Sequence, residues 1–150
     1  MIVKLKHENE VIASTIRKVF QASYAIEAEL LKAKDFPPLK RPLEDFINTD
    51  TVFYGYYVEN RLAAAIEIKS ERTVTQIHSL VVDPTFFRRG IASKLLELVF
   101  QTFDTKLYTV ETGADNVPAI TLYERFGFSL VRQWMTDIGI EKVAFEKRID

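Results

Sequence analysis

Apolar and polar positions change period repeatedly along the chain, and each change marks an element. Residues 2–7, IVKLKH, alternate and predict a short strand, because successive strand side chains point to opposite faces. From Glu8 to Leu31 the period lengthens. Val11, Ile12, Ile16, Val19, Phe20 and Tyr24 recur near helical spacing and predict an amphipathic helix with those residues on its buried face. DFPPLKRP ends that helix, since Pro37 and Pro38 cannot continue it and force the preceding residues extended. LEDFINT predicts a short second helix. TVFYGYYV and RLAAAIEIKSE predict two strands of a hairpin turning at Glu59-Asn60-Arg61, and RTVTQIHSLVV a third antiparallel strand.

After Asp83 the pattern switches again. Ile91, Leu95, Leu96, Val99 and Phe103 share one helical face. KLYTVET reads as a strand and GADN as a turn. NVPAITLYERFGF reads as a helix with Asn116 as N-cap, Pro118 in its first turn and Gly127 as its stop. SLVRQWMT and KVAFEKRI are closing strands. The order β-α-α-β-β-β-α-β-α-β-β gives about seven strands and four helices. It predicts an α/β (α+β) domain spanning residues 1–150, a mixed, mostly antiparallel sheet covered by helices. No repeat, linker or low-complexity segment interrupts it.

Composition narrows the function classes. Apolar residues make up 47% of the 150 and charged residues 27%, the balance of a soluble domain with a proper core. The net charge of −1 offers no global attraction to nucleic acid or an anionic membrane, so any anion site must be local. There is no cysteine, which removes disulfides, thiolate metal sites and cysteine nucleophiles. His7 and His78 are the only histidines and lie far apart, so no metal site is expected. Neither a signal peptide nor a membrane span is expected, and the location expected is cytoplasmic.

Between the third antiparallel strand and the following helix stands FFRRGIA. A helix N-terminus exposes unpaired N–H groups and a partial positive charge, which suits phosphate. Gly90 lets the backbone approach a ligand, Ala92 keeps the next turn narrow, and Arg88 and Arg89 add forked donors. No G-x-x-x-x-G-K-[ST] or G-x-G-x-x-G pattern is present. The plainer alternative is two solvated arginines before an ordinary helix.

Two motifs in order resemble the GCN5-related N-acetyltransferase (GNAT) family over about residues 74–130. Leu80, Val82 and Pro84 match its L-x-V-x-P strand end, and Gly90 and Ala92 match its [QR]-x-x-G-x-[GA] loop. Asn116, Ala119, Tyr123, Gly127 and Phe128 match N-x-x-A-x-x-[LFY]-Y-x-x-x-G-F. Phe87 stands where the family usually has Gln or Arg. The resemblance implies a GNAT-like fold and acetyl-CoA as co-substrate. Its pyrophosphate would rest on residues Phe87 to Ser93 (Phe87, Arg88, Arg89, Gly90, Ile91, Ala92 and Ser93), with Asn116 and Tyr123 also at the cofactor. It also implies that the strand ending at Val82 splays from the one holding Val110, leaving a gap where pantetheine meets backbone around Leu80 and Val82.

Acetyl transfer to an amine needs a neutral nucleophile, a polarised thioester carbonyl and a proton for the leaving thiolate. By the resemblance Tyr123 supplies that proton; the alternative is a tyrosine packed in the core. His78, on the side of Gln76 and Leu80 by period two, suits the base role. Glu111 is a second candidate and Glu67 a third, although a hairpin-strand glutamate is more often solvated. Some members use no dedicated base. The acceptor site is expected from the segment around the first two helices and the loop between the last two strands, with Tyr24, Glu27, Phe36 and Trp134 as its candidate residues; Glu27 and Glu29 could attract a cationic amine, or form only a polar helix face. Expected partners are a small-molecule amine or a protein or peptide amine, with no nucleic acid and no membrane. The apolar closing strands are a candidate homodimer surface. The competing reading is a module of the same fold that binds acyl-CoA or a partner without efficient transfer.

Overall fold

The computed structural model describes residues 1–150. One seven-stranded sheet runs through it in the order β1-β2-β3-β4-β5-β7-β6. The strands are β1 (Ile2–Leu5), β2 (Val52–Val58), β3 (Arg61–Glu71), β4 (Val74–Val82), β5 (Leu107–Gly113), β6 (Ser129–Met135) and β7 (Glu141–Arg148). The helices are α1 (Glu10–Leu31), α2 (Leu43–Asn48), α3 (Ile91–Thr102) and α4 (Val117–Arg125). Short 3-10 turns at Pro37–Lys40 and Pro84–Phe86 complete the chain. Only β4 and β5 pair in parallel.

The ends of the helices follow local chemistry. Asn9 caps α1 by accepting from the Val11 and Ile12 N–H groups at 2.9 and 3.1 Å. Pro37 and Pro38 open the 3-10 turn that follows α1. Asn116 caps α4 through the Ala119 N–H, and Gly127 ends the following turn at φ +91°. One face residue departs from the periodicity: Val11 is 75% exposed. It points away from the sheet, whereas Ile12 and Ala13 beside it in the same turn pack on the core.

Two cores form on the two sheet faces. Ala13, Ile16, Val19 and Phe20 of α1 and Phe46 of α2 pack on Phe53, Ala65 and Val81. Ile91, Leu95, Leu96 and Val99 of α3 and Tyr123 of α4 pack on Ile66, Ile68, Ile77 and Val110 from the other side. This explains why β3 reads as an almost unbroken apolar run: it is covered on both faces. Leu95 has no exposed surface, so Leu95→Ala is expected to cost about 2–5 kcal/mol in urea unfolding.

The register of β4 positions the site. Glu67 pairs with Ser79 but Ile68 pairs with Ile77, so His78 is the extra residue of a β-bulge. The bulge breaks period two. Ile77 packs with the α3 face, whereas Val81 packs with the α1 face. His78 accordingly does not share a side with Leu80, contrary to the alternation expected from sequence. His78 is exposed with Gln76, its Nε2 lying 3.1 Å from Gln76 Oε1, while Leu80 packs against the α3-side core. Beyond the bulge β4 and β5 part: their pairing runs only from Val74–Leu107 to Ile77–Val110.

Candidate active site

The parting of β4 and β5 opens a cavity of about 990 Å³. Its walls come from α1, the 3-10 turn after it, the diverging strands, α4 and the β6–β7 loop. Tyr24, Glu27, Phe36, His78, Leu80, Glu111, Asn116 and Tyr123 all line it. Trp134 does not line it; it stacks with Arg132 at 4.3 Å, on the sheet's edge strand. The loop between β6 and β7, expected at the acceptor site, lines the cavity instead through Thr136, Asp137, Ile138 and Ile140, none of them singled out from the sequence. Glu29 is exposed on α1 and lies outside the lining.

Tyr123 sits one turn from the C-terminus of α4, wedged against Phe128 and Phe145. It is only 4% exposed, yet its hydroxyl bonds to no protein atom and retains accessible surface. Burial, then the neighbouring Tyr24 and the charge of Glu27, push its pKa well above the ordinary phenol value. The group is therefore a protonated donor with a free hydrogen. Tyr24 approaches it from α1, but its own hydroxyl donates to Ser79 at 3.2 Å.

Asn116 joins the two sides of the cavity. Its Nδ2 donates to Glu27 Oε1 at 2.6 Å and to Thr112 Oγ1 at 3.2 Å, while its Oδ1 caps α4. Burial raises the Glu27 carboxyl above the usual carboxylate range, against the Asn116 hydrogen bond and the Lys142 charge. Glu111 is half exposed and pairs with Lys142 at 3.2 Å.

Glu67 is not on a solvated face. It is 1% exposed and outside the cavity lining. Arg41 grips both its oxygens at 2.7 and 2.9 Å, Thr51 donates at 2.7 Å and Ser79 at 3.2 Å. Burial alone would raise its carboxyl, but the Arg41 hydrogen bonds and charge, with Thr51, outweigh that and hold it below the ordinary range. Arg41 follows the 3-10 turn, so this pair ties the segment carrying Phe36, Pro37 and Pro38 to the central strand.

The loop before α3 has the backbone of an anion cradle. Arg88 and Gly90 have φ of +65° and +70°, and the residue between them is not in that region. Such alternation turns successive N–H groups toward one side. None of the N–H groups from Arg88 to Ser93 donates to a protein acceptor. A Cβ on Gly90 would meet nothing within 4 Å, so its glycine is required by φ, and the space beside it is open. Phe86 is the core residue of the pair, with the Arg61 and Arg89 guanidinium groups 5.0 and 5.2 Å from its ring centre. Phe87 is 43% exposed and joins no core. Ile91 turns its side chain into the core, leaving only its backbone to the loop. Val82 N–H donates to Ser23 Oγ at 3.3 Å.

No helix is long and apolar enough to cross a membrane. Comparison with known proteins adds the family. The chain is 32% identical over 129 residues to UPF0157 protein YqkA of Bacillus subtilis, covering 85% of this chain but 38% of that protein, so it spans well under half of that relative. It is 28% identical over 121 residues to streptothricin acetyltransferase of Escherichia coli, covering 77% of this chain and 70% of that one. Among solved structures, the ribosomal-protein-S18-alanine N-acetyltransferase of E. coli superposes with a TM-score of 0.79 at 19% identity, over 99% of this chain and 93% of that one. The PaiA N-acetyltransferase of Thermoplasma acidophilum, in complex with coenzyme A, gives 0.74 at 17% identity over 99% of both. The model of the acetyltransferase (GNAT) family matches residues 15–128, most of the chain, and the chain belongs to that family.

Proposed function

We propose that the protein is an acetyl-CoA-dependent N-acetyltransferase working by direct attack in a ternary complex. The observation that carries this reading is the Tyr123 hydroxyl, free of protein partners, in a cavity opened by the split of β4 from β5. Family membership and the coenzyme A complex of a structural relative support the cofactor.

In this reading the pyrophosphate rests on the N–H groups of Arg88 to Ser93, with the two arginines adding charge. The pantetheine arm runs past Leu80 and Val82 into the cavity, which brings the thioester to Tyr123; Val82 N–H would exchange Ser23 for the arm. The amine nitrogen attacks the carbonyl carbon, the C–N bond forms and the C–S bond breaks. Tyr123 gives its proton to the departing sulfur and regains one from the new amide nitrogen. The acceptor ammonium first loses its other proton, which leaves through solvent at His78 or Glu111 on the cavity wall. A cytoplasmic location fits this cofactor.

The test is amine-dependent release of free thiol from acetyl-CoA, proportional to protein concentration. No release across small amines and amine-bearing peptides, from protein that binds acetyl-CoA, would favour the non-catalytic binding module instead. Single His78→Gln and Glu111→Gln variants test the proton route: the variant whose kcat falls while its affinity for acetyl-CoA is unchanged marks it.

A further inference from the structure

Most charged groups of the cavity wall have an ion-pair partner; Arg132 and Asp137, which have none, are both exposed. Arg41 is held by Glu67, Lys142 by Glu111, and Glu146 lies 3.5 Å from Arg148. Glu27 is the exception deep in the site. Its Oε1 accepts from a neutral amide and its Oε2 has no partner, and no cation lies within ion-pair distance. Its charge reaches Tyr123 and Tyr24, so it stands near where the reacting nitrogen must lie. Beside it, Leu31, Phe36 and Ile140 form an apolar wall.

We infer that Glu27 receives the acceptor's ammonium group, and that the acceptor is an alkylammonium with no carboxylate beside the reacting nitrogen. The inference rests on the acetyltransferase reading above. A half-buried carboxylate lacking a cation gains more from an ammonium than an exposed one, because its own desolvation has already been incurred in folding. A free α-amino acid would bring a second carboxylate against Glu27, and the repulsion would act in the same low-dielectric space. Asn116 fixes one carboxylate oxygen and leaves the other for the ligand.

The groups facing Glu27 are Asn116 and Tyr123 from α4, Lys142 from β7 and Tyr24 from its own helix. An ammonium binds the ionised carboxylate. Affinity for the amine is therefore low while Glu27 is protonated, rises as pH climbs through its raised pKa, and then levels off.

The probes are 3-methylbutylamine and leucine, which share a carbon skeleton and differ by the carboxylate. Each is titrated calorimetrically into protein saturated with coenzyme A, for the wild type and Glu27→Gln. Glutamine keeps an acceptor for Asn116 while removing the charge. The expected result is amine binding by the wild type with leucine much weaker. In Glu27→Gln, affinity for the amine falls at least about tenfold, as for loss of a charge-assisted hydrogen bond, and affinity for acetyl-CoA is unchanged. Equal affinity of the wild type for leucine, no affinity for the amine, or an unchanged amine affinity in Glu27→Gln overturns the inference. Failure of the wild type to bind acetyl-CoA is a separate result that removes the acetyltransferase reading itself.

Discussion

Glu67→Ala is expected to destabilise the protein by about 3–5 kcal/mol, the range for removing one partner of a buried ion pair. The loss comes less from the missing attraction than from what remains. Arg41, Thr51 and Ser79 all direct donors at this carboxylate, and in the variant they stay behind in a space built for an anion. Thermal unfolding should show a drop of roughly 6–20 °C for a domain of this size. The pH dependence has a fixed sign. The folded-state pKa of Glu67 lies below its ordinary value of 4.5, so the stabilisation is fully present above that value and is lost as pH falls through the folded pKa. The gap in stability between wild type and variant should accordingly be widest near neutral pH and close in acid. A gap that is constant from pH 7 to pH 3 would show that the charge of Glu67 is not what stabilises the fold.

Tyr123→Phe is expected to lower kcat by about a hundredfold or more, the usual range for removing a general acid, with no change in the dissociation constant of acetyl-CoA. Phenylalanine preserves the ring contacts with Phe128 and Phe145. The hydroxyl it removes bonds to no protein atom, so stability should change little. That combination separates a proton donor from a packing residue: unfolding unchanged, cofactor affinity unchanged, turnover lost. Turnover preserved within a few fold would remove Tyr123 from the chemistry.

The elements were legible because each is set by local pattern. The period of the apolar residues gave all seven strands and four helices, and Asn116 and Gly127 marked both ends of α4. The loop before α3 was legible because glycine at a positive φ and a following helix leave their trace in adjacent residues. Features that depend on distant partners were not. Glu67 looked like one polar position on a hairpin strand, and its burial follows from Arg41, 26 residues earlier in a segment with no regular pattern. A β-bulge has no spacing of its own, so His78 and Leu80 were assigned to one side when the extra residue separates them. Trp134 stands near the loop between the last two strands, where the acceptor site is expected. Strand order decided otherwise: β7 is inserted between β5 and β6, and β6 becomes the sheet's edge. Glu27 was legible as a candidate, but not its lack of a cation, which only the assembled cavity reveals.

The central claim is that acetyl-CoA occupies this split sheet with its pyrophosphate on the loop before α3. The most direct measurement is a calorimetric titration of acetyl-CoA into wild type, Gly90→Glu and Gly90→Ala. Alanine imposes the same backbone strain at φ +70° without the bulk or charge of glutamate, so it separates that strain from the effect of a bulky anion at the loop. The account predicts saturable one-to-one binding by the wild type, retained with modest weakening in Gly90→Ala and abolished in a folded Gly90→Glu. No binding by the wild type, or equal binding by all three, would contradict it.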